Sequence, residues 1–424
     1  MKNFYLTPKL FSCLKGYNKE QAVKDIIAGI IVAIIALPLS IALALASGVE
    51  PACGVYTAIA AGLIVSLFGG SSIQIAGPTA AFATIVAGIV ASKGMEGLFL
   101  ATIVAGILLI LMGIFKLGGL IKFIPPTITT GFTSGIAVTI FAGQIKDFLG
   151  ITYADGVKPV ETIEKITANF EFLSSFHWQA LLVGVVCLAI LIIYPKFEKR
   201  IPPSLISVIV GVLMVKFIPG LDSGVFTIGE LYTIPVGLPK MDFSGIDFSM
   251  SNIISVFPDA FTIAILAAIE SLLSCVVADG MVNSHHNSNA ELVGQGLGNI
   301  ASVLFGGIPA TGAIARTAAN AKNGGRTPIA GMVHAIVLLL VLLFLMPYAS
   351  LIPMPAIAAI LFMVAYNMSE YKKFIKIIKT SPVRDIIVML VTFVLTVVFD
   401  LVVAIEAGLF LVFIFYLEKR FIRK

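Results

Sequence analysis

Charge is scarce in this sequence. Asp, Glu, Lys and Arg make up 12% of its 424 residues, where an ordinary soluble domain carries about a quarter. The chain is 58% hydrophobic with a mean hydropathy of +1.05, more apolar sequence than a globular core absorbs. That excludes a cytosolic enzyme. Cysteine is scarce as well. Cys13, Cys53, Cys187 and Cys275 are scattered with no CxxC, which argues against a disulfide framework or a cysteine metal site. His285 and His286 sit in a polar stretch, and His334 lies on an apolar helix with no histidine four residues on, so haem and zinc lack support. There is no HExxH, no Ser-His-Asp arrangement and no glycine fingerprint after a strand, so an enzyme is not expected and neither is a cofactor. A nucleic-acid partner is not expected.

Long apolar runs fill the space instead. About 20 residues cross a bilayer, so this length holds roughly a dozen crossings. The first run, from Ile26, is too long for a signal-peptide core and reads as a membrane helix. Twelve candidates follow the chain: Ile26–Ala46, Gly54–Phe68, Met95–Phe115, Ile124–Ala142, Trp178–Tyr194, Ser204–Phe217, Pro258–Val277, Ala290–Phe305, Pro328–Met346, Ile352–Ala365, Asp385–Phe399 and Leu401–Leu417. Pro78–Ala91 and Thr311–Ala321 are too short or too glycine-rich to span alone. Counting them gives 14 elements, in which they stand third in each half. Each follows an extended glycine-bearing stretch, Ser71–Gly77 or Gly306–Gly312. Paired interruptions at matching positions point to an inverted-repeat transporter. The expected fold is therefore an all-α integral membrane protein in a 7+7 inverted repeat.

The expected divisions are a cytoplasmic segment 1–25, a first repeat 26–217, an extracytoplasmic connection 218–257, a second repeat 258–417 and a cytoplasmic tail 418–424. Charge orients them. Lys15, Lys19 and Lys24, then Lys196, Lys199 and Arg200, then Lys372, Lys373, Lys376 and Lys379, then Arg423 and Lys424 all fall on one face. Asp147, Asp155, Glu161, Glu164 and Glu171, with Asp222, Glu230, Asp242 and Asp247, fall on the other. Positive residues mark the cytoplasmic side, so both termini are expected inside a cell membrane.

Polar groups at membrane depth are costly and tend to face a cavity. Glu270 lies a dozen residues into element 8 with no Lys or Arg on its own helix face, and Ser274 is one turn further on. Such a carboxylate pairs with a cation, binds a metal ion, is protonated, or serves as a structural hydrogen-bonded group. Arg316 lies in the second interrupted helix, where free N–H groups and a partial positive charge favour an anion. Its planar fork suits oxyanion oxygens. The plainer alternatives are a pair with Glu270 that locks two helices, or snorkelling to the surface. Gly77-Pro78-Thr79-Ala80-Ala81-Phe82 opens the first interrupted helix, with proline suited to the first turn and Phe82 able to shape a pocket; a close-packed helix contact is the alternative.

These residues match a known family. Leu37 to Tyr56 (LPLSIALALASGVEPACGVY) resembles the signature of the sulfate permease family, and Gln74–Thr79 (QIAGPT) resembles the start of its third helix. Phe123–Gly150, Glu291–Asn299, Ile308–Gly331 and Ile352–Met368 continue the likeness in order, and helices 8 to 10 look most like the branch that includes bacterial bicarbonate transporters. The resemblance implies 14 helices forming a core and a gate, a possible homodimer, and an anion site between the starts of helices 3 and 10. By position it implies Thr79, Ala80, Ala313, Ile314, Ala315 and Arg316 at that site, with Leu39 and Leu43 of helix 1 lining it. In sodium-coupled members the positions of Glu270, Ser274, Gly312 and Ala313 hold the cation. Most members carry a STAS domain after the last helix, and none is expected here. Leu39 replaces a polar residue of some members, and Arg316 beside a sodium site disfavours Na+, which points toward H+ coupling or exchange. The implied function is secondary transport of sulfate or bicarbonate by alternating access, as symport or exchange. A dicarboxylate transporter, a nucleobase permease of the same plan and an anion channel are the rivals.

Overall fold

A computed structural model describes residues 6–119, 125–154, 156–157, 159–198, 201–233, 247–399 and 401–422. Asp155, Lys199, Arg200, Asp242, Arg423 and Lys424, and the first two residues of the 123–150 motif, lie outside the described residues. Helix dominates what is described. The helices of the first half are α1 (Lys19–Ala46), α2 (Pro51–Phe68), a run Ala83–Ile114, α5 (Pro126–Leu149), α6 (Trp178–Ile193) and α7 (Pro203–Phe217). The run Ala83–Ile114 breaks at Gly94, whose φ of 70° suits glycine, so it is two helices, α3 (83–93) and α4 (95–114). The second half supplies α8 (Met250–Val282), α9 (Ser288–Leu304), α10 (Ile314–Lys322), α11 (Ile329–Phe344), α12 (Met354–Met368), α13 (Val383–Val398) and α14 (Leu401–Ile422). The fourteen elements read from the sequence are therefore all present as helices.

Their ends follow local chemistry. Asn18 caps α1 by accepting from the Gln21 N–H. Proline opens α2, α5, α7 and α12, where its missing N–H costs nothing. Gly150, left-handed at φ 65°, closes α5. Two boundaries differ from expectation. The helix α5 runs on through Asp147, which the hydropathy pattern leaves in the following loop. The helix α8 starts eight residues before Pro258, inside the expected connection, and carries that proline in its interior; Asp247 accepts from the Ser249 N–H and from Asn252 and ties the first turn.

Six described helices are long and apolar enough to cross a membrane. The burial pattern is that of a protein in lipid. Large apolar side chains such as Ile107, Leu111, Val185, Ile192, Leu213, Ile336 and Leu340 face outward, while Thr130, Glu291, Gln295, Asn299 and Asn320 are buried. Two bundles emerge from the packing. In one, α9 lies against α2 and α4, α8 against the run Ala83–Ile114, and α11 against α1 and α2. In the other, α5 lies against α12 and α13, α12 against α6, and α13 against α14. The first is the expected core and the second the expected gate. The main joints between them run from α1 to α7 and α12.

Candidate functional site

A two-stranded ribbon marks the centre of the core. Strand β1 (Ala76–Gly77) pairs antiparallel with β2 (Thr311–Gly312), Ala76 opposite Gly312 and Gly77 opposite Thr311. Beyond the ribbon, the Ala313 N–H donates to the Ile75 carbonyl at 2.8 Å. Each strand leads straight into an interrupted helix. After β1 come Pro78, Thr79 and a 3-10 turn Ala80–Phe82 into α3; after β2 comes Ala313 and then α10. The ribbon therefore brings the beginnings of α3 and α10 together by backbone pairing rather than by side-chain contact.

Side chains from other helices hold the ribbon. The Gly312 N–H donates to Ser271 Oγ at 3.0 Å, and the Ile75 N–H donates to Thr317 Oγ1 at 3.0 Å. Asn320 Nδ2 donates to the Ile73 carbonyl at 2.8 Å. Below them, Gln74 Nε2 donates at 2.7 Å to Glu291, whose other oxygen accepts the Gly70 and Ser71 N–H groups. Glu291 is fully buried and satisfied by neutral donors, so it serves as a fixed anchor for the strand approaching the site.

The first turns of both helices keep their N–H groups uncapped by side chains. Thr79 is the N-cap of the turn into α3, but its hydroxyl donates instead to Glu270 Oε2 at 3.0 Å. Ala313 caps α10 and has no side-chain acceptor to offer. Unpaired donors at a helix start carry a partial positive charge. Thr311 Oγ1 reaches the same Glu270 oxygen at 3.3 Å, so one carboxylate faces both arms of the ribbon.

Arg316 is buried, 2% exposed, and is among the largest side chains so enclosed. Its Nη2 donates to Ser40 Oγ at 3.2 Å and to the Pro78 carbonyl at 3.3 Å; its Nη1 has no hydrogen-bond partner and lies against Gly77, where a Cβ would collide with it. Among the described residues no carboxylate forms an ion pair with Arg316. The two charged groups thus flank the Pro78–Thr79 link without meeting, Arg316 at the carbonyl of Pro78 and Glu270 at the hydroxyl of Thr79. The alternative in which they lock two helices as a salt bridge is not what the structure has, and neither is snorkelling.

The other expected residues are placed as follows. Thr79 and Glu270 are half-buried, and Ile314 and Ala315 are exposed. Ala80, Gly312 and Ala313 line the ribbon's tips and are buried. Leu39 is half-buried against the apolar core, in which Leu43 and Phe82 sit at 4% and 1% exposure. Ser274 is buried one turn beyond Glu270 and stands 3.5 Å from Thr317 Oγ1. Sequence reasoning missed Ser40, Thr311 and Thr317, and placed Ser271 beside Glu270 without its contact to the ribbon. A hydroxyl among small residues carries little signal, and Ser40 is 276 positions from the arginine it meets.

One arrangement absent from the sequence reading does exist. Asp279 Oδ2 lies 2.7 Å from His286 Nδ1, and His286 Nε2 lies 3.0 Å from Ser288 Oγ. The N–H groups of Asn289 and Ala290 beside Ser288 are taken by the Asn287 side chain, so they offer nothing to an oxyanion. The chain of bonds ties the α8–α9 link together.

Comparisons with known proteins identify the family. The model of the sulfate permease family matches residues 23–392. YvdB of Bacillus subtilis, provisionally named a sulfate transporter, is 46% identical over 96% of this chain and 75% of its own length. The bicarbonate transporter BicA of Picosynechococcus is 33% identical over 93% of this chain and 70% of its own length. Among solved structures, the transmembrane domain of a cyanobacterial BicA superposes with a TM-score of 0.77 at 28% identity, covering 92% of this chain and 98% of that one. Murine solute carrier 26 family member A9 in its inward-facing state gives 0.87 at 16% identity over 97% of this chain and 71% of that one, a likeness of fold. The chain belongs to the sulfate permease family.

Proposed function

We propose that this protein is a secondary transporter of an inorganic oxyanion, sulfate or bicarbonate, held between the starts of α3 and α10. The observation that carries the reading is the guanidinium of Arg316, enclosed at those tips and lacking a carboxylate partner. An unpaired charge at this depth costs several kcal/mol. An anion about 4 Å away returns about 4 kcal/mol at an effective dielectric of 20. The uncapped N–H groups of the Ala80 and Ile314 turns add oriented donors. The guanidinium is buried while Ile314 and Ala315 of the same first turn are exposed, and its Nη2 is already engaged. It therefore acts chiefly through its charge, and the backbone makes the first contacts.

Glu270 is the coupling group in this reading. Its Oε2 accepts from Thr79 and Thr311, one on each arm of the ribbon, so its charge state is felt at both tips. Protonating it removes a negative charge beside the anion, which favours binding of anion and proton together. A Na+ ion held by Glu270, Gly312 and Ser274 is the competing arrangement. It is disfavoured because Ser274 turns to Thr317 and the fixed charge of Arg316 stands across the Pro78–Thr79 link. Rocking of the core bundle against the gate bundle gives alternating access, with both termini cytoplasmic and the protein in the cell membrane, as a monomer or homodimer.

Purified protein in proteoliposomes tests this. Uptake of labelled sulfate or bicarbonate driven by an inward pH gradient, and indifferent to Na+, is the expected result. Strict Na+ dependence overturns the coupling assignment, and failure to take up either anion under any gradient overturns the function.

A further inference from the structure

Hydrogen bonds alternate along an antiparallel pair. Ile75 and Ala313 form a bonded pair, so Ala76 and Gly312 are a non-bonded pair whose backbone groups turn outward. On the β2 side the outward Gly312 N–H is held by Ser271 Oγ. On the β1 side the Ala76 carbonyl turns toward α2 and α11. Gly62 of α2 faces it there, and so does His334 of α11, which is fully buried with no protein partner for either ring nitrogen.

The space among these groups can be measured. A Cβ built on Gly62 would lie 3.4 Å from the Ala76 oxygen, 3.5 Å from His334 Nδ1 and 3.6 Å from His334 Cε1. That point is bonded to Gly62 Cα, so it marks where the two groups lie: the carbonyl oxygen and the ring nitrogen share one side of Gly62, each at ordinary contact distance from an added methyl. A carbonyl acceptor and a buried imidazole nitrogen without a protein partner thus converge there, which is the setting in which buried water is held. The next residue of the strand, Gly77, is the one that Arg316 Nη1 lies against.

We infer that a buried water sits over Gly62, bridging the Ala76 carbonyl and His334 Nδ1, and that His334 is thereby a positioning residue for the anion site. The bridge is the β1 counterpart of the Ser271 contact on β2. With both outward groups held, the ribbon keeps the tips of α3 and α10 in register and keeps Gly77 under the guanidinium. His334 touches neither anion nor coupling ion; it acts through the strand. The inference rests on the anion site proposed above.

The substitution Gly62→Ala tests it, because the added methyl fits sterically and alanine favours helix. An unoccupied hollow predicts a neutral or stabilised protein with normal transport. The water bridge predicts that Gly62→Ala raises the KM for the anion at least fivefold, leaves the maximal rate within twofold and does not lower the unfolding temperature. His334→Leu should give the same KM shift, His334→Gln should recover most of it, and Gly62→Ala combined with His334→Leu should be no worse than His334→Leu alone. An unchanged KM in Gly62→Ala overturns the inference, and so does a raised KM that comes only with loss of fold. Should His334→Leu fail to fold, Gly62→Ala carries the test alone. Wild-type protein that takes up no anion instead removes the site itself, so the two failures are told apart.

Discussion

Thr79 directs its hydroxyl proton to Glu270 Oε2 at 3.0 Å, which leaves the start of α3 without a side-chain cap, while Thr311 Oγ1 stands 3.3 Å from the same oxygen and 3.1 Å from the Gly312 carbonyl. One threonine thus links the carboxylate to the donors that would face an anion. Replacing Thr79 with valine keeps the volume and removes one bond of about 0.5–1.5 kcal/mol. Anion affinity should change by about threefold to tenfold, measured as the KM of uptake at two pH values, with the larger change where Glu270 is ionised. Glu270→Gln keeps the shape and abolishes the titration. Its uptake should no longer follow an imposed pH gradient while anion exchange at equal pH persists. Glu270 and Arg316 were legible in the sequence because a lone charge stands out in an apolar run. That they stand apart was not legible, since pairing depends on which way each side chain leaves its helix. The hydroxyls of Ser40 and Thr317 gave no signal at all, because their partners are backbone groups or distant in the chain.

At the scale of elements, close helix contacts place those residues. Ser40 reaches Arg316 only because α1 and α2 nearly touch at Gly54, where a Cβ would collide with the Ser40 carbonyl. Gly54→Ala should cost about 1–3 kcal/mol by overpacking. A lowered unfolding temperature and a weakened anion response in the same variant would show that the crossing serves the site. Asp25 makes a second tie. It is fully buried on α1 and accepts from Tyr17, Gln21, the Arg326 and Thr327 N–H groups and the Thr327 hydroxyl, which fastens α1 to the link between α10 and α11. Asp25→Ala leaves buried donors unmatched and should destabilise the detergent-solubilised protein by about 2 kcal/mol or more, read from thermal unfolding. The fourteen helices were legible because apolar run length is a strong signal. Their ends were less so: α5 continues past its apolar stretch through Lys146 and Asp147, and α8 begins ahead of Pro258, since helices extend beyond the hydrocarbon layer where hydropathy says nothing. The amphipathic helix Tyr371–Thr380 was seen only as a cluster of lysines, although Phe374 packs on Phe393 of α13.

Across the whole molecule, the two bundles differ in what they carry. The core bundle holds the ribbon, both interrupted helices and both charged groups, whereas among the described residues the gate bundle contributes none of the groups that bond to Glu270 or Arg316. A site confined to one rigid body can be carried past a second body without being taken apart, which is what alternating access requires. The architecture followed from paired interruptions in the sequence, while the division into bundles followed only from three-dimensional packing, because α1 to α4 and α8 to α11 are far apart in the chain. The charge at the tips decides whether this machine moves anions. Equilibrium binding of labelled sulfate and bicarbonate to purified wild-type protein and to Arg316→Gln, with folding checked by thermal unfolding, measures it directly. Loss of the Arg316 charge should weaken anion binding by about 30-fold to 1000-fold, equivalent to about 2–4 kcal/mol, in a protein that still unfolds cooperatively. Equal affinity in the two proteins would contradict an anion site at the meeting of α3 and α10.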